Sequence, residues 1–332
     1  MALPNHMDHL LMKKIFRPLL ACCLFAALSV HAQDWPNKPI KLIVPFPAGG
    51  PTDLVGREAA NILREELKQT VVVENRPGGN GVLGLNVLAK SPADGYTLGL
   101  LAITVSIAPH LGNAGFDPFK DFTPISNMVS MTPIVVANNN APFNTLGEMV
   151  AYAKARPSQL AYGTPGVATV PHLAAELLQM QAGVQLTHVP YKGATQQIQD
   201  LIGGATLLDF QSSLVVALPQ AKAQKIKALA VLSEQRSAQL PQVPTAKESG
   251  FPGLVVSPWF GLGAPAGVPS DIVQRVHAAL LKGFSSKDMQ EKFANIGASV
   301  HPNKSPAEFA AYIQSEYDRW GKVIKSANVK AE

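Results

Sequence analysis

The first half of the chain alternates short apolar, β-branched runs with longer amphipathic segments. Apolar runs lie at 39–46, 70–75 and 97–102, and amphipathic segments lie between them at 53–69 and 81–91. We interpret the runs as strands and the amphipathic segments as helices, because strands separated by helical patterns are typical of βαβ units. Such units predict a parallel sheet with right-handed crossovers.

The second half repeats this alternation and predicts a second α/β unit. Its apolar runs lie at 160–166, 186–191, 207–211 and 226–232, and its helical patterns at 144–157, 171–181 and 194–204. The chain therefore contains two α/β units, each with its own strand-to-helix loops. No internal repeat and no low-complexity tract stands out in the sequence.

Two long apolar segments are placed to connect these units. Residues 125–140 leave the first unit, and residues 250–265 return to it. Helical patterns at 269–284 and 305–326 then fold back onto the first unit. Two crossing strands between two α/β lobes predict a hinge with a ligand cleft.

The N-terminal residues 1–32 have the pattern of a secretory signal peptide. Lys13, Lys14 and Arg17 precede an apolar run at 18–30, and Ala32 ends a typical cleavage motif. The run is shorter than the ~20 apolar residues that span a bilayer. We therefore expect export to the periplasm rather than a membrane anchor.

Cys22 offers an alternative fate for this segment. Residues 19–22 fit a lipoprotein processing site, which would leave a lipid on Cys22. Because the apolar run continues well past Cys22, we expect no lipid anchor. Both cysteines, Cys22 and Cys23, lie within residues 1–32, so the exported domain has to rely on its hydrophobic core instead of disulfides.

The charge of the exported chain limits its partners. The formal charge falls from +5 to +3 once residues 1–32, with Asp8, Lys13, Lys14 and Arg17, are removed. The remaining lysines and arginines are dispersed along the chain, which argues against nucleic acid as a partner. A mild positive charge does suit a small anionic solute.

The first loop, residues 46–53, lies where a predicted strand feeds a predicted helix. Ligands of α/β sheets bind at this position, and Gly49 and Gly50 allow close approach to the backbone. A phosphate cradle is disfavoured, because no nucleotide-binding glycine pattern is present and Pro47 and Pro51 lack amide donors. Asp53 is expected first as the helix N-cap and second as a ligand contact.

A second glycine-flanked loop lies within 161–176. Gly163 and Gly166 flank a Thr-Pro pair, and Thr169 is expected to cap the following helix. We refer to residues 164–169 as the second loop. His172, on the first helical turn, is expected to have a packing or capping role rather than a catalytic one.

No catalytic set is recognisable. There is no nucleophile motif, no cysteine in the exported chain and no metal-spaced group of histidines and acids. The exported chain has five scattered histidines: His110, His172, His188, His277 and His301. We therefore expect a protein that is not an enzyme and uses neither a metal nor a cofactor.

Several ordered motifs resemble the substrate-binding receptors of tripartite tricarboxylate transporters, also called Bug receptors. The resemblance covers essentially the whole exported chain and rests on "WPNKPIKLIVPFPAGGPTDLVGR", "VVENRPGGNGVLG", "ADGYTLGL", "HVPYKGATQQIQDLIGG" and "LPQVPTAKESGFPG". It implies a type II periplasmic-binding-protein fold. The first lobe would comprise residues 33–133 and 256–332, and the second lobe residues 134–255.

The resemblance also implies where the ligand binds. In this family, main-chain amides, short polar side chains and waters from two opposed loops hold a carboxylate. Carried over to this chain, the expected ligand-binding residues are Phe46, Ala48, Gly49, Gly50, Thr52, Asp53, Thr104, Thr164, Pro165, Gly166, Thr169, Asp209 and Gln211.

The chain departs from the family pattern on the far side of the cleft. Relatives often have a serine or threonine soon after the second glycine of the second loop, whereas Val167 and Ala168 follow Gly166 here. Leu207 and Gln211 stand where relatives often have aspartates, and the acid is shifted to Asp209. The resemblance therefore implies that this chain binds a carboxylate, but it does not identify the rest of the ligand.

The resemblance implies a periplasmic receptor that closes on a small organic acid. It would deliver this acid to the membrane permease subunits of a tripartite transporter, and we expect it to act as a monomer. A periplasmic sensor that presents its loaded form to a signalling partner is the alternative, because both roles use the same closure.

Overall fold

The computed structural model describes residues 35–112 and 114–330. The predicted signal peptide, residues 1–32, and both cysteines lie outside the described residues. The strands are β1 Ile40–Val44, β2 Val71–Asn75, β3 Thr97–Ala102, β4 Phe122–Met131, β5 Ile134–Asn138, β6 Ala161–Thr164, β7 Thr187–Pro190, β8 Leu208–Gln211, β9 Ile226–Val231, β10 Trp259–Pro265 and β11 Ala298–Val300.

The helices fill the connections between these strands. They are α1 Pro51–Leu67, α2 Val82–Ala89, α3 Thr104–Ile107, α4 Leu146–Ala155, α5 Val170–Ala182, α6 Ala194–Gly203, α7 Leu214–Lys222, α8 Ser270–Phe284, α9 Lys287–Ala294 and α10 Pro306–Ala327. Short 3₁₀ turns occur at Gly79–Gly81, Ala108–His110 and Pro252–Leu254. Within the described part of the chain, no helix is both long and apolar enough to cross a membrane.

The first sheet contains six strands in the order β11-β4-β10-β3-β1-β2. Strands β2 and β3 pair with β1 in parallel, as the alternating pattern predicts. Strand β10 runs antiparallel to both β3 and β4, because it returns the chain from the second sheet. The purely parallel sheet that the βαβ pattern predicts is therefore only partly realised.

The second sheet contains five strands in the order β7-β6-β8-β5-β9. Strand β6 is parallel to β7 and β8, and Gly163 of β6 stands opposite Asp209 of β8. Strand β5 runs antiparallel to β8 and β9, because it brings the chain in from the first sheet. The two predicted α/β units are thus confirmed; the first sheet includes two antiparallel strands, β10 and β11, and the second includes one, β5.

The crossing segments run side by side between the sheets. Strand β4 ends at Met131 and β5 begins at Ile134, so two residues separate the sheets on this path. The Met131 N–H donates to Pro258 O at 2.8 Å, and the Leu232 N–H donates to Pro133 O at 2.9 Å. Since few residues connect the sheets, rotation about these segments is the simplest motion that changes their relative position.

Aromatic side chains secure the return to the first sheet. Trp259, at the start of β10, is fully buried and packs edge-on against Phe309 of α10, with ring centroids 5.4 Å apart. Phe309 also packs over Gly261 of β10, where an added Cβ would lie 2.2 Å from its ring. The terminal helix therefore packs on the first sheet, as the sequence predicts.

Candidate functional site

The first loop connects β1 to α1, but its cap differs from the prediction. The N-cap of α1 is Gly50, in an extended conformation, and the helix begins at Pro51. Asp53 is therefore the third helical residue and not the N-cap, so this prediction is wrong. Its Oδ2 reaches back and accepts the Gly49 N–H at 2.9 Å. Pro51 suits the first helical position because it needs no amide donor there.

The Asp53 carboxylate is the centre of a loop-holding network. Oδ2 also accepts Arg57 Nε at 2.8 Å, and Oδ1 accepts Asn75 Nδ2 at 2.9 Å. Asn75 Nδ2 donates in addition to Phe46 O at 3.0 Å. The carboxylate is 3% exposed, so its oxygens are occupied by the protein itself. Asp53 thus fixes the shape of the first loop from behind.

These donors keep Asp53 ionised. Burial works to raise the pKa of Asp53, but hydrogen bonds from Arg57, the Gly49 N–H and Asn75 outweigh it and hold the pKa below its usual value of 3.8. The negative charge is paired with the Arg57 guanidinium. An anion bound near the first loop therefore faces a neutral pair rather than a bare carboxylate.

Two neighbouring loops meet the first loop at the same edge of the sheet. Strands β1, β2 and β3 are parallel, so their carboxyl ends lie together. Thr104, just after β3, donates its hydroxyl to Asn80 O at 3.0 Å. Gly81 lies against the Phe46 ring, where an added Cβ would be 3.0 Å from Cζ. Thr104 is therefore connected to the first loop through the turn at 79–81.

The second loop follows β6 and is held by hydroxyl groups. Thr164 is fully buried, and its Oγ1 donates to Gly166 O at 3.0 Å. Thr169 occupies the N-cap position of α5, but its side chain does not cap the helix. Its hydroxyl donates instead to Gly166 O at 2.7 Å, so the predicted side-chain cap is wrong. Gly166 has φ +147, a conformation that suits glycine.

Two stacked imidazoles support this loop. The rings of His172 and His188 are 4.1 Å apart and nearly parallel, and His188 Nε2 lies 2.7 Å from Thr164 Oγ1. His172 Nδ1 accepts the Ala168 N–H at 3.0 Å, which is a capping and packing role of the predicted kind. Burial lowers the pKa of both imidazoles from 6.5 to about 4. Both rings are consequently neutral at pH 7.

Asp209 and Gln211 lie inside the second sheet. Asp209 Oδ1 accepts the Thr206 hydroxyl at 3.1 Å, and Oδ2 accepts Gln211 Nε2 at 3.2 Å. Asp209 fills the space beside Gly163, where an added Cβ would be 2.4 Å from Oδ1. Burial raises the pKa of Asp209 from 3.8 to about 8, so the side chain is mainly a neutral carboxylic acid at pH 7.

A cavity of about 440 Å³ lies between loops of the two sheets. From the first sheet it is lined by Gly79, Asn80, Val82, Thr104, Ile107, Ala108, Leu111, Gly112 and Ala114, and from the second loop by Val167 and Ala168. Thr104 is therefore the predicted site residue that directly lines it, while Phe46 packs against the adjacent turn. The other predicted residues are not among the described lining residues.

Sequence reasoning missed most of the lining from the first sheet. The turn at 79–81 follows the carboxyl end of β2, which is the signal that could have marked it. Ile107, Ala108 and Leu111 gave no such signal, because apolar residues after a strand are equally typical of a hydrophobic core. None of the described lining residues is a lysine, arginine, histidine or acid. Nor does the described part of the chain contain a group of three His, Cys, Asp or Glu able to hold a metal.

Comparisons with known proteins agree on one family. Residues 55–329 match the family model described as the tripartite tricarboxylate transporter family receptor. The solved periplasmic binding protein BugD is 33% identical with a TM-score of 0.76, over 90% of this chain and 100% of BugD. The two-lobed periplasmic-binding-protein fold predicted from the sequence is thereby confirmed.

Two similar structures contain ligands. Rpa4515 of R. palustris with adipate is 33% identical with a TM-score of 0.80, over 90% of this chain and 99% of Rpa4515. MatC of Rhodopseudomonas palustris with bound malate is 30% identical with a TM-score of 0.74, over 87% of this chain and 100% of MatC.

Proposed function

Because the chain belongs to the tripartite tricarboxylate transporter receptor family, whose members are solute-binding receptors and not enzymes, we propose that it captures a small organic carboxylate in the periplasm. It then delivers the ligand to the membrane subunits of a tripartite transporter. The capturing lobes are residues 33–133 with 256–332 and residues 134–255. Export depends on the signal peptide predicted at residues 1–32.

The cavity lined from both sheets is the observation that carries this proposal. Asn80 and Thr104 line it from the first sheet, and Val167 and Ala168 line it from the second loop. Its volume, about 440 Å³, lies within the range of roughly 300–1,000 Å³ typical of small-molecule sites. A rotation about the crossing segments would bring these walls together on a ligand.

Backbone amides are suited to hold the carboxylate. Helix α1 begins at Pro51, so the amides of Thr52 and Asp53 in its first turn have no acceptor within the helix. The first turn of α5 presents a second positive helix end, just after the second loop. Because Arg57 neutralises Asp53, the anion is attracted by the α1 dipole without facing an unpaired negative charge.

The two ligand-bound structures support the ligand class. One holds adipate and the other holds malate, and both ligands are small organic carboxylates. The site residues expected for this chain are the first loop from Phe46 to Asp53, Thr104 and the second loop from Thr164 to Thr169. Asp209 and Gln211 then act as buried supports beneath the second loop rather than as direct contacts.

A binding titration on ligand-free protein tests the proposal. Co-purified ligand is first removed by unfolding and refolding, since a loaded site masks added ligand by mass action. Mono-, di- and tricarboxylates are then titrated, with the corresponding amides as controls. At least one carboxylate should raise Tm while its amide does not. The proposal is wrong if the refolded protein is stabilised by no carboxylate.

Delivery to a transporter needs a separate test. A strain that lacks this gene should lose uptake of the carboxylate identified by titration, and the intact gene should restore it. Unchanged uptake would exclude the transport role while leaving the binding result in place.

A further inference from the structure

The cavity lining has an unusual chemistry for a site that receives an anion. Among the lining residues that the structure describes, seven of eleven have apolar side chains: Val82, Ile107, Ala108, Leu111, Ala114, Val167 and Ala168. Gly79 and Gly112 add only backbone, so Asn80 and Thr104 are the polar side chains in the described part of the lining. The Thr104 hydroxyl proton is already donated to Asn80 O. This wall therefore favours a hydrocarbon group over a charged one.

Two arginines close in sequence to the first-sheet loops are already engaged. Arg57 is bound to Asp53, and Arg76 forms an ion pair with Glu74. The two imidazoles behind the second loop are neutral, because burial lowers the pKa of each to about 4. A second carboxylate on the ligand would thus find no available side-chain cation among these groups.

Two backbone donors of the second loop are also engaged. The Ala168 N–H donates to His172 Nδ1 at 3.0 Å, and the Gly166 N–H donates to Thr164 Oγ1 at 3.3 Å. On the opposite side, the Gly49 N–H donates to Asp53 Oδ2. Using any of these donors for a ligand would break a bond that shapes a loop. The first turns of α1 and α5 remain suited to a carboxylate.

We propose that the receptor selects a carboxylic acid with one carboxylate and an apolar body, such as a short aliphatic or aromatic monocarboxylate. This inference rests on the proposed function and narrows its ligand class. Burying the apolar body of the ligand against this wall stabilises the complex. A second carboxylate buried against the same wall loses its hydration and meets no ionic partner among the described lining residues, which is unfavourable.

Hexanoate and adipate provide a matched pair for the test, because they share a six-carbon chain and differ by one carboxylate. Isothermal titration of the ligand-free protein at pH 7.5 compares these two acids with benzoate, malate and hexanamide. We expect hexanoate or benzoate to bind at least tenfold more tightly than adipate and malate, and hexanamide not to bind. Equal or tighter binding of adipate or malate would overturn the inference but would leave the carboxylate receptor intact. Absence of binding by all four acids would overturn the inference, and the proposed function would fail with it if no other carboxylate of the wider panel stabilised the protein.

A charge placed in the wall gives a second, independent readout. Leu111 lines the cavity and is only partly buried, so Leu111→Lys adds a cation without emptying the core. We expect this variant to shift the preference toward adipate by at least tenfold relative to hexanoate. Leu83→Lys is the matched control, since Leu83 is 55% exposed and lies outside the lining. An unchanged preference in folded Leu111→Lys, or the same shift in Leu83→Lys, would contradict the inference.

Discussion

The first and second loops occupy equivalent places in their sheets, each between the end of a parallel strand and the start of a helix, yet they are held in different ways. An ionised carboxylate, Asp53, holds the first loop through Gly49, Arg57 and Asn75. Neutral groups hold the second loop. The buried Asp53 carboxylate can therefore serve as a charged support, because several donors converge on it beside the half-exposed Arg57 guanidinium.

Burial accounts for the neutral support of the second loop. His172 and His188 are stacked inside the lobe, and burial keeps both uncharged at pH 7. Asp209 is buried and forms no ion pair within the described part of the chain, and it is protonated instead. The two loops should consequently respond to pH and to mutation in different ways.

The largest expected effect is the alkaline response of Asp209. Its pKa is raised to about 8 in the folded protein from 3.8, so the folded state binds the proton more tightly. The stability from this group is present below pH 4 and is lost as pH rises to about 8, at about 1.4 kcal/mol per pH unit. Asp209→Asn should remove this loss, so its Tm relative to wild type should rise between pH 5 and pH 9. A constant difference would show that Asp209 is ionised at neutral pH.

The histidine pair should respond in the opposite direction. Their pKa values are lowered to about 4 from 6.5, so the unfolded chain binds protons more readily between these values. Stability is fully present above pH 6.5 and is lost as pH falls toward 4, by about 3 kcal/mol for each histidine. His188→Phe keeps an aromatic ring beside His172 and should reduce the acid loss of Tm between pH 7.5 and pH 4.5. His301→Gln, at an exposed site, is the control, and its Tm should fall between pH 7.5 and pH 4.5 as much as that of the wild type.

Removal of the charged support tests the first loop. Asp53→Ala should lower the free energy of unfolding by about 2 kcal/mol, because it removes a buried carboxylate and its charge-assisted hydrogen bonds to Gly49, Arg57 and Asn75. Asp94→Ala, which breaks the exposed ion pair with Lys38, should cost less than about 1 kcal/mol. Chemical denaturation measures both. If Asp53→Ala leaves stability unchanged but abolishes carboxylate binding, Asp53 is a ligand contact and not a support.

The smallest expected effect concerns the backbone of the first loop. Gly49 has φ +82 and an added Cβ would meet nothing within 4 Å, so Gly49→Ala carries only conformational strain. We expect a loss of about 1 kcal/mol in the free energy of unfolding. Gly50→Ser is the control, because Gly50 has φ −83 and serine is a good N-cap. Equal losses in the two variants would show that the positive φ of Gly49 is unimportant.

Local patterns were sufficient to predict the two sheets and the positions of their loops. Strands such as β1 and helices such as α1 follow from hydrophobic periodicity, and the crossing at Met131 follows from an apolar segment between two α/β units. The directions of the strands were harder to predict, because β10 is antiparallel to β3 only as a consequence of the path by which the chain returns from the second sheet.

Long-range contacts explain what the sequence did not reveal about the site. The role of Asp53 depends on Asn75, 22 residues away, and the burial of Asp209 depends on its pairing with Gly163. Ile107, Ala108 and Leu111 line the cavity because they follow β3, whose pairing with β1 periodicity cannot show. Side-chain chemistry alone therefore marked the loops but not the wall that selects the ligand.

A crystal structure of the ligand-free protein soaked with hexanoate tests the central claim most directly. In this crystal the hexanoate carboxylate should lie within hydrogen-bond distance, about 2.7–3.2 Å, of the first-turn amides of α1. The hydrocarbon chain should lie against Ile107, Leu111 and Val167, with the second loop closed over it. A carboxylate bound to a lysine or arginine side chain, or a ligand outside the cavity between the two loops, would contradict the account.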